Sequence, residues 1–127
     1  MQKTPDDRKY TKDHEWIKLE KNGYVVGISD HAQEQLTDVV FIELPQPGVF
    51  LKKGDRAASI ESVKAVSDIY APAGGKITEV NSALEDKPEL INEKPYTDGW
   101  IFKIELSDES ELNGLMSGSE YSAFIGE

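Results

Sequence analysis

Apolar and polar residues alternate near the start of the chain in a way that is typical of a β-hairpin. The apolar residues fall in the runs 16–19 and 24–28, and Lys-Asn-Gly at 21–23 separates them. Because Asn-Gly favours the positive φ values of a tight turn, the pattern predicts two antiparallel strands joined there. Asp30 and Gln33 then have the spacing of a capping box, which predicts a short helix of about two turns.

Further strands are predicted between residues 39 and 80. Residues 39–44 are mostly β-branched or aromatic, and the prolines at 45 and 47 end that strand because proline cannot donate to a ladder. Residues 52–55 (Lys-Lys-Gly-Asp) and 72–75 (Pro-Ala-Gly-Gly) predict turns. Residues 76–80 alternate between apolar and polar, which predicts a half-buried strand.

The stretch 57–70 lacks Gly, Pro and Asn and carries strand-forming residues throughout. As a single strand it would be about 46 Å long at roughly 3.3 Å per residue, longer than the diameter of about 36 Å expected for a chain of this size. We therefore predict that it folds back on itself. Its middle falls at Val63 and Lys64, and neither is a common turn residue. Position 64 needs an explanation other than turn propensity.

The last third of the chain changes its pattern twice. Residues 81–98 are rich in Pro, Asn and acidic residues, which predicts a long surface loop with a helical turn at most. Residues 99–106 predict a final strand. Between 112 and 125 the apolar residues follow i, i+3, i+4 spacing, and Ser117 with Glu120 forms a capping box. We expect two short helices that cover one end of the sheet structure with their apolar sides in the core.

Composition narrows the possible functions. The chain has 127 residues, enough for one ordinary domain, and its 38% apolar and 30% charged residues are typical of a globular protein. A net charge of −10 argues against a nucleic-acid partner, which needs a Lys/Arg-rich face. The absence of cysteine excludes disulfides, Cys-based zinc sites and thiol nucleophiles.

The chain shows no targeting or membrane segment. Residues 1–8 have no apolar run and include acidic residues, and the longest purely apolar run, 39–42, is far too short to span a membrane. We expect a cytoplasmic bacterial protein with no membrane partner. A mitochondrial matrix location would require that a transit peptide had been removed.

Residues 61–72 (Glu-Ser-Val-Lys-Ala-Val-Ser-Asp-Ile-Tyr-Ala-Pro), with Gly74-Gly75 after them, strongly resemble the lipoyl-lysine segment of the H-proteins of the glycine cleavage system. Other segments are similar to the same family in the same order and extend the match over most of residues 10–125. They are 13–16, 27–33, 40–45, 88–92, 95–96 and 99–100. The resemblance implies that Lys64 carries lipoate through an amide bond.

The same resemblance implies the fold and the domain organisation. We expect a mainly β protein, a barrel-sandwich hybrid or flattened β-barrel of two small antiparallel sheets, with a lipoyl hairpin at one edge and short helices that include C-terminal ones. Residues 1–127 would form one lipoyl-carrier domain, and we expect a monomer. No nucleophile, triad, phosphate loop or metal set is visible in the sequence, so we expect a carrier and not an enzyme.

The family's function supplies the expected partners. The lipoyl group would accept an aminomethyl group from the pyridoxal-phosphate glycine decarboxylase and present it to a tetrahydrofolate-dependent aminomethyltransferase. Dihydrolipoamide dehydrogenase would then reoxidise the dithiol, and lipoate-attaching enzymes would act on Lys64. A lysine at a hairpin tip suits this role because a tether raises the local concentration of the carried group at each partner.

An aminomethylated arm carries a protonated amine, so a cleft with carboxylates would stabilise it and exclude water. Glu15, in the family's His-Glu-Trp motif, and Asp68 are the candidate arm-docking carboxylates. His14 and His31 are the only histidines, too few for a metal site, and either could contact the arm or have a purely structural role. Asp13 stands where the family often has Ser, Thr or Pro, which removes any hydroxyl contact from that position.

Other carriers and functions stay open on sequence alone. Biotin carriers place Met on both sides of the modified lysine, whereas Val63 and Ala65 stand here, and this difference favours lipoate. Lipoyl domains of 2-oxoacid dehydrogenases are shorter and usually have an acid before the lysine. An H-like protein could also serve as a lipoyl donor in lipoate assembly for those dehydrogenases. A stand-alone enzyme is the third class, which the residue inventory disfavours.

Overall fold

The computed structural model describes residues 4–127, which form short strands and helices. The strands are β1 (Lys9–Tyr10), β2 (Glu15–Glu20), β3 (Gly23–Ile28), β4 (Val39–Glu43), β5 (Phe50–Leu51), β6 (Arg56–Ser62), β7 (Val66–Tyr70), β8 (Gly75–Val80) and β9 (Phe102–Leu106). The helices are α1 (Asp30–Leu36), α2 (Ala83–Asp86), α3 (Leu90–Glu93), a 3₁₀ helix (Glu109–Gly114) and α4 (Gly118–Phe124).

Two antiparallel sheets share one apolar core. The larger sheet has the order β1-β2-β3-β9-β8-β5 and the smaller the order β4-β6-β7. The core cluster takes Val26 and Phe102 from the larger sheet and Ile42, Ile60 and Ile69 from the smaller one. The predicted mainly β fold of two small antiparallel sheets with short helices is confirmed. Within residues 4–127 the sheets stay open and do not close into one barrel.

The first predicted hairpin is confirmed, with a different turn geometry. Glu20 pairs with Gly23, so Lys21 and Asn22 form the loop. The positive φ falls on Gly23, at +115°, and not on Asn22. Glycine lacks a Cβ and adopts this conformation without strain. Only one residue of the turn therefore needs the left-handed region.

Helix α1 begins one residue earlier than its sequence pattern predicts. Ser29 is the N-cap, and its hydroxyl accepts a hydrogen bond from the backbone N–H of Ala32. The Asp30 carboxylate instead accepts from the side-chain amide of Gln33 at 2.8 Å. The predicted capping box at Asp30 is therefore wrong, because the neighbouring hydroxyl takes the capping position.

The stretch 57–70 folds back as predicted. β6 and β7 pair antiparallel, with Glu61 opposite Val66 and Ser59 opposite Asp68, and the turn between them spans residues 63–65. Lys64 is exposed at the tip of this hairpin. The predicted reversal of the chain at Val63 and Lys64 is therefore confirmed.

The segment 81–98 is more ordered and more buried than the predicted surface loop. It contains α2 and α3, and the side chains of Leu84 and Ile91 are 0% exposed. The side-chain amide of Asn81 donates to the backbone oxygens of Asp98 and Trp100, both at 2.8 Å, and so ties the two ends of the segment together. The prediction of a surface loop is wrong for these side chains.

The C-terminal region follows its prediction in part. Ser117 and Glu120 form the predicted capping box of α4. Tyr121 of α4 is 0% exposed and stacks on Tyr10 with 4.5 Å between ring centroids. The helix before it is a 3₁₀ helix with no buried residue, although Leu112 packs partly against the core.

Candidate functional site

The turn that carries Lys64 is held together by its own backbone and by one hydroxyl. Ser62 Oγ accepts hydrogen bonds from the backbone N–H groups of Lys64 at 3.2 Å and Ala65 at 3.0 Å. The Ser62 N–H donates to the Ala65 oxygen at 2.8 Å, and the Val63 N–H donates to the Asp38 oxygen at 3.0 Å. The Lys64 side chain therefore has no part in forming the turn.

The Lys64 amine is compatible with acylation. Nζ donates to the backbone oxygen of Gln35, at the end of α1, at 3.1 Å. No carboxylate of residues 4–127 forms an ion pair with this amine. An amide on Nζ keeps one N–H, which can still donate to the Gln35 oxygen. Attachment of a lipoyl group would thus break no ion pair between described residues.

A cleft of about 240 Å³ lies at the other end of β7. Its walls come from four separate segments, of which the first contributes Glu15. They are residues 10–13 with Glu15, the turn at 53–54, residues 70–72 and residues 114–116. Two backbone hydrogen bonds between Tyr10 and Met116, at 2.8 and 2.9 Å, join the first wall to the last.

Asp13 and Glu15 both line this cleft, and Glu15 is the buried carboxylate of the two. Its side chain is buried, with 1% of the residue exposed. One carboxylate oxygen accepts from the Thr11 hydroxyl at 2.7 Å, and the other accepts from the backbone N–H of Tyr70 at 3.0 Å. Burial raises the pKa of Glu15 to about 7, against the effect of these two donors, and Asp13 adds a small further rise. A cationic ligand in the cleft would favour the ionised carboxylate.

Asp68, the second candidate carboxylate, lies outside the lining of the cleft. Its carboxylate accepts from Arg56 Nε at 3.1 Å, and the same guanidinium contacts Glu43 at 2.6 Å. All three side chains are substantially exposed. Asp68 therefore belongs to an exposed ion-pair network with Arg56 and Glu43. Along β7 it lies between Lys64 and the cleft.

The two histidines lie close together behind Glu15 and do not line the cleft. Their rings are 4.9 Å apart. His14 Nδ1 is 2.7 Å from the Tyr121 hydroxyl, which is also 2.7 Å from Ser29 Oγ. Burial, with a smaller contribution from His31, lowers the pKa of His14. In residues 4–127 no group of three or more His, Asp or Glu side chains is placed to hold a metal ion.

Comparison with known proteins identifies the family. A family model described as "Glycine cleavage H-protein" matches residues 8–127. The chain belongs to the glycine cleavage H-protein family. The resemblance inferred from the motifs is therefore confirmed.

Individual relatives cover nearly the whole chain. The glycine cleavage system H protein of Escherichia coli is 54% identical over 126 residues, with 98% of both chains covered. That of Staphylococcus epidermidis is 53% identical over 123 residues, with 97% of this chain and 98% of the relative covered. The crystal structure of the H protein from Mycobacterium marinum superposes with a TM-score of 0.88 at 39% identity, covering 97% and 99% of the two chains.

Two donors to the Glu15 carboxylate were not predicted from the sequence. One is the Thr11 hydroxyl, and the other is the backbone N–H of Tyr70. A hydroxyl four residues before an acidic residue in a turn is a weak signal that could have indicated the first. The second has no side-chain signal at all. Separately, no helix of residues 4–127 is long and apolar enough to cross a membrane.

Proposed function

We propose that the chain is the lipoyl-bearing carrier of the glycine cleavage system, with lipoate attached through an amide to Lys64. The observation that carries the proposal is the exposed Lys64 at a hairpin tip whose turn is complete without the lysine side chain. Membership of the H-protein family supports it. Lipoate supplies a disulfide that can be reduced and can accept a one-carbon amine fragment.

The proposed cycle involves three partner proteins and no catalysis by this chain. The carrier takes an aminomethyl group at glycine decarboxylase and delivers it to the tetrahydrofolate-dependent aminomethyltransferase. Dihydrolipoamide dehydrogenase then restores the disulfide. We propose that residues 1–127 act as one non-catalytic carrier domain, monomeric and cytoplasmic, and that lipoate-attaching enzymes recognise the hairpin around Lys64.

Within this cycle Glu15 would hold the protonated amine of the carried group. Tyr70, whose N–H contacts Glu15, lies six positions after Lys64. That separation is about 20 Å along an extended strand, so only a long arm lying against the hairpin can bring its end to the cleft. The exposed Asp68 lies along this path and is proposed as a secondary contact. His14 and His31 lie outside the cleft and are assigned no contact with the arm.

The attachment site is tested by intact-mass measurement after expression with lipoate. We expect the wild-type protein to gain the mass of one lipoyl group and Lys64→Arg to gain none. Lys21→Arg, which changes another exposed lysine in a hairpin turn, is the matched control and keeps the modification. A mass gain that persists in Lys64→Arg contradicts the assignment. Transfer of lipoate from this chain to a 2-oxoacid dehydrogenase domain would instead indicate the lipoyl-donor function.

The role of Glu15 is tested on the aminomethyl-loaded protein. We expect Glu15→Gln to speed release of the aminomethyl group by about tenfold, because a charge-assisted hydrogen bond becomes a neutral one. Glu20→Gln, on the exposed end of the same strand, serves as the control. Equal rates for wild type and Glu15→Gln would remove Glu15 from the proposal.

A further inference from the structure

Thr11 makes three hydrogen bonds with one hydroxyl. Its Oγ1 accepts from the backbone N–H of Asp13 at 3.2 Å and from the backbone N–H of Glu15 at 3.1 Å. The hydroxyl donates to the Glu15 carboxylate at 2.7 Å. The same side chain thus contacts both the main chain and the side chain of Glu15.

The number of hydrogen bonds fixes the direction of the hydroxyl proton. A threonine hydroxyl has one donor and two acceptor positions. Both acceptor positions of Thr11 are taken by backbone N–H groups, so the proton can only point at Glu15 Oε1. The other carboxylate oxygen faces the N–H of Tyr70, which can only donate. Each carboxylate oxygen of Glu15 therefore accepts a hydrogen bond. Two such bonds stabilise the charged form of the carboxyl group.

The turn that brings Thr11 to Glu15 is unusual and is anchored from outside. His14, between Asp13 and Glu15, has a φ of +71°, which is uncommon for a residue with a Cβ. Its N–H donates to the Thr11 oxygen at 3.2 Å, and its ring contacts Tyr121 of α4. The left-handed residue reverses the chain tightly enough for a side chain at position 11 to reach the carboxylate at position 15.

We propose that Thr11 is the positioning residue of the cleft, and that its hydroxyl fixes the orientation of the Glu15 carboxylate and favours its charged form for a cationic ligand. The identity of that ligand as the aminomethyl arm rests on the proposed function. The hydrogen-bond geometry itself does not depend on it.

Other groups near Glu15 act on its charge as well. Burial between the walls of the cleft is the largest effect and raises the pKa of Glu15, and Asp13 in the same turn adds a smaller rise. The remaining titratable groups around the cleft are Tyr10, Lys12, Lys53, Tyr70 and, from α4, Tyr121. A test of Thr11 must therefore compare variants that leave all of these groups in place.

The test is a carbon NMR titration of the Glu15 carboxyl in the protein without lipoate. Glu15→Gln identifies the signal, and Thr11→Val removes the hydroxyl at nearly constant volume. We expect Thr11→Val to raise the titration midpoint by about one pH unit, because a donor to the charged form is lost. Thr11→Ser should restore the wild-type midpoint. Thr78→Val, an exposed threonine on β8, is the matched control and should leave it unchanged.

Circular dichroism verifies that each variant is folded. If Thr11→Val does not fold, the same titration is carried out on Thr11→Ala. A Thr11→Val or Thr11→Ala midpoint equal to that of Thr78→Val overturns the proposal. The proposed function can be contradicted independently of the positioning role of Thr11. If Glu15→Gln leaves aminomethyl release unchanged while Thr11→Val still moves the titration, the positioning role stands and the arm-docking role of Glu15 falls.

Discussion

Two physical effects shift the pKa of the Glu15 carboxyl group in opposite directions. Removal from water disfavours the charged form, and donors from Thr11 and Tyr70 favour it. Burial is the larger effect, and the pKa of Glu15 rises to about 7. The group is therefore poised to change its charge near neutral pH when a cation enters or leaves the cleft.

This balance predicts a dependence of stability on pH. Between the ordinary value of 4.5 and about 7 the folded protein keeps the Glu15 proton and the unfolded chain loses it. The free energy of unfolding should therefore fall as pH rises through this window, by a contribution on the order of 3 kcal/mol. We expect wild type to lose this stability between pH 4 and pH 8 relative to Glu15→Gln, measured by urea unfolding.

The comparison with Glu15→Gln isolates the contribution of Glu15 to the pH dependence of stability, because His14 and the other titrating groups are common to both proteins. His14 has a lowered pKa, so its own contribution has the opposite sign and is lost as pH falls below about 6.5. Parallel pH profiles for the two proteins would contradict the raised pKa of Glu15.

Single residues differ in how far the sequence reveals them. A strand too long for its domain points to Lys64, and a motif points to Glu15, so the order of the amino acids is enough to propose both. It is not enough for Thr11, because the contact of that side chain depends on the left-handed conformation of His14, which is uncommon even though histidine adopts it more often than most residues with a Cβ. The side-chain partner of Asp68, Arg56, also depends on the pairing of β6 with β7.

Among the elements, the pair β2 and β3 is built around a close contact between a ring and a glycine. A Cβ on Gly27 would lie 2.5 Å from a ring carbon of Trp16. The ring cannot move easily, because its N–H donates to the backbone oxygens of Ile28 at 2.9 Å and Pro95 at 3.1 Å. Trp16 thus ties β2 to the segment that follows α3.

Gly27→Ala should therefore lower the free energy of unfolding by about 1–3 kcal/mol, since the added methyl group overfills a packed site. Gly114→Ala is the matched control, because a Cβ there meets nothing within 4 Å among the described residues. That control should stay within about 0.5 kcal/mol of wild type. Urea unfolding of the three proteins measures the difference. Equal losses in both variants would show that the contact with Trp16 is not the cause.

The elements that sequence patterns predicted well are those with a clear period or turn signal. The strands around Gly23 and the capping box of α4 are examples, whereas the reversal at Lys64 was predicted from strand length alone. The helices α2 and α3 have four residues each, too few to show a helical period. The burial of Leu84 and Ile91 therefore produces no periodic apolar spacing in the sequence. The strand order, in which β5 pairs with β8, depends on contacts distant in sequence.

At the scale of the whole molecule, Lys64, the proposed attachment site, and the cleft lined by Glu15 belong to different parts of one framework. The hairpin lies in the smaller sheet, and three walls of the cleft come from segments outside that sheet. The core that joins the sheets holds both in place. We infer that the framework is already formed before lipoate is attached.

Hydrogen exchange can test this inference. Amides of β3 and β9, which are central in the larger sheet, should exchange slowest, and those at residues 63–65 much faster. Attachment of lipoate should change exchange only near the tip, and aminomethyl loading should add protection at residues 10–15 and 70–72. Lys64→Arg taken through the same treatment is the control. Slower exchange throughout β3 and β9 after attachment would contradict a preformed framework.

The closed turn at Ser62 has a consequence for the selectivity of modification. Because the hydroxyl of Ser62 and the backbone orient residues 63–65, the Lys64 amine, the proposed site of attachment, projects from a fixed surface only when β6 and β7 are paired. An attaching enzyme that recognises this shape would ignore unfolded copies of the same sequence. The cofactor would then also mark the chains that have completed folding.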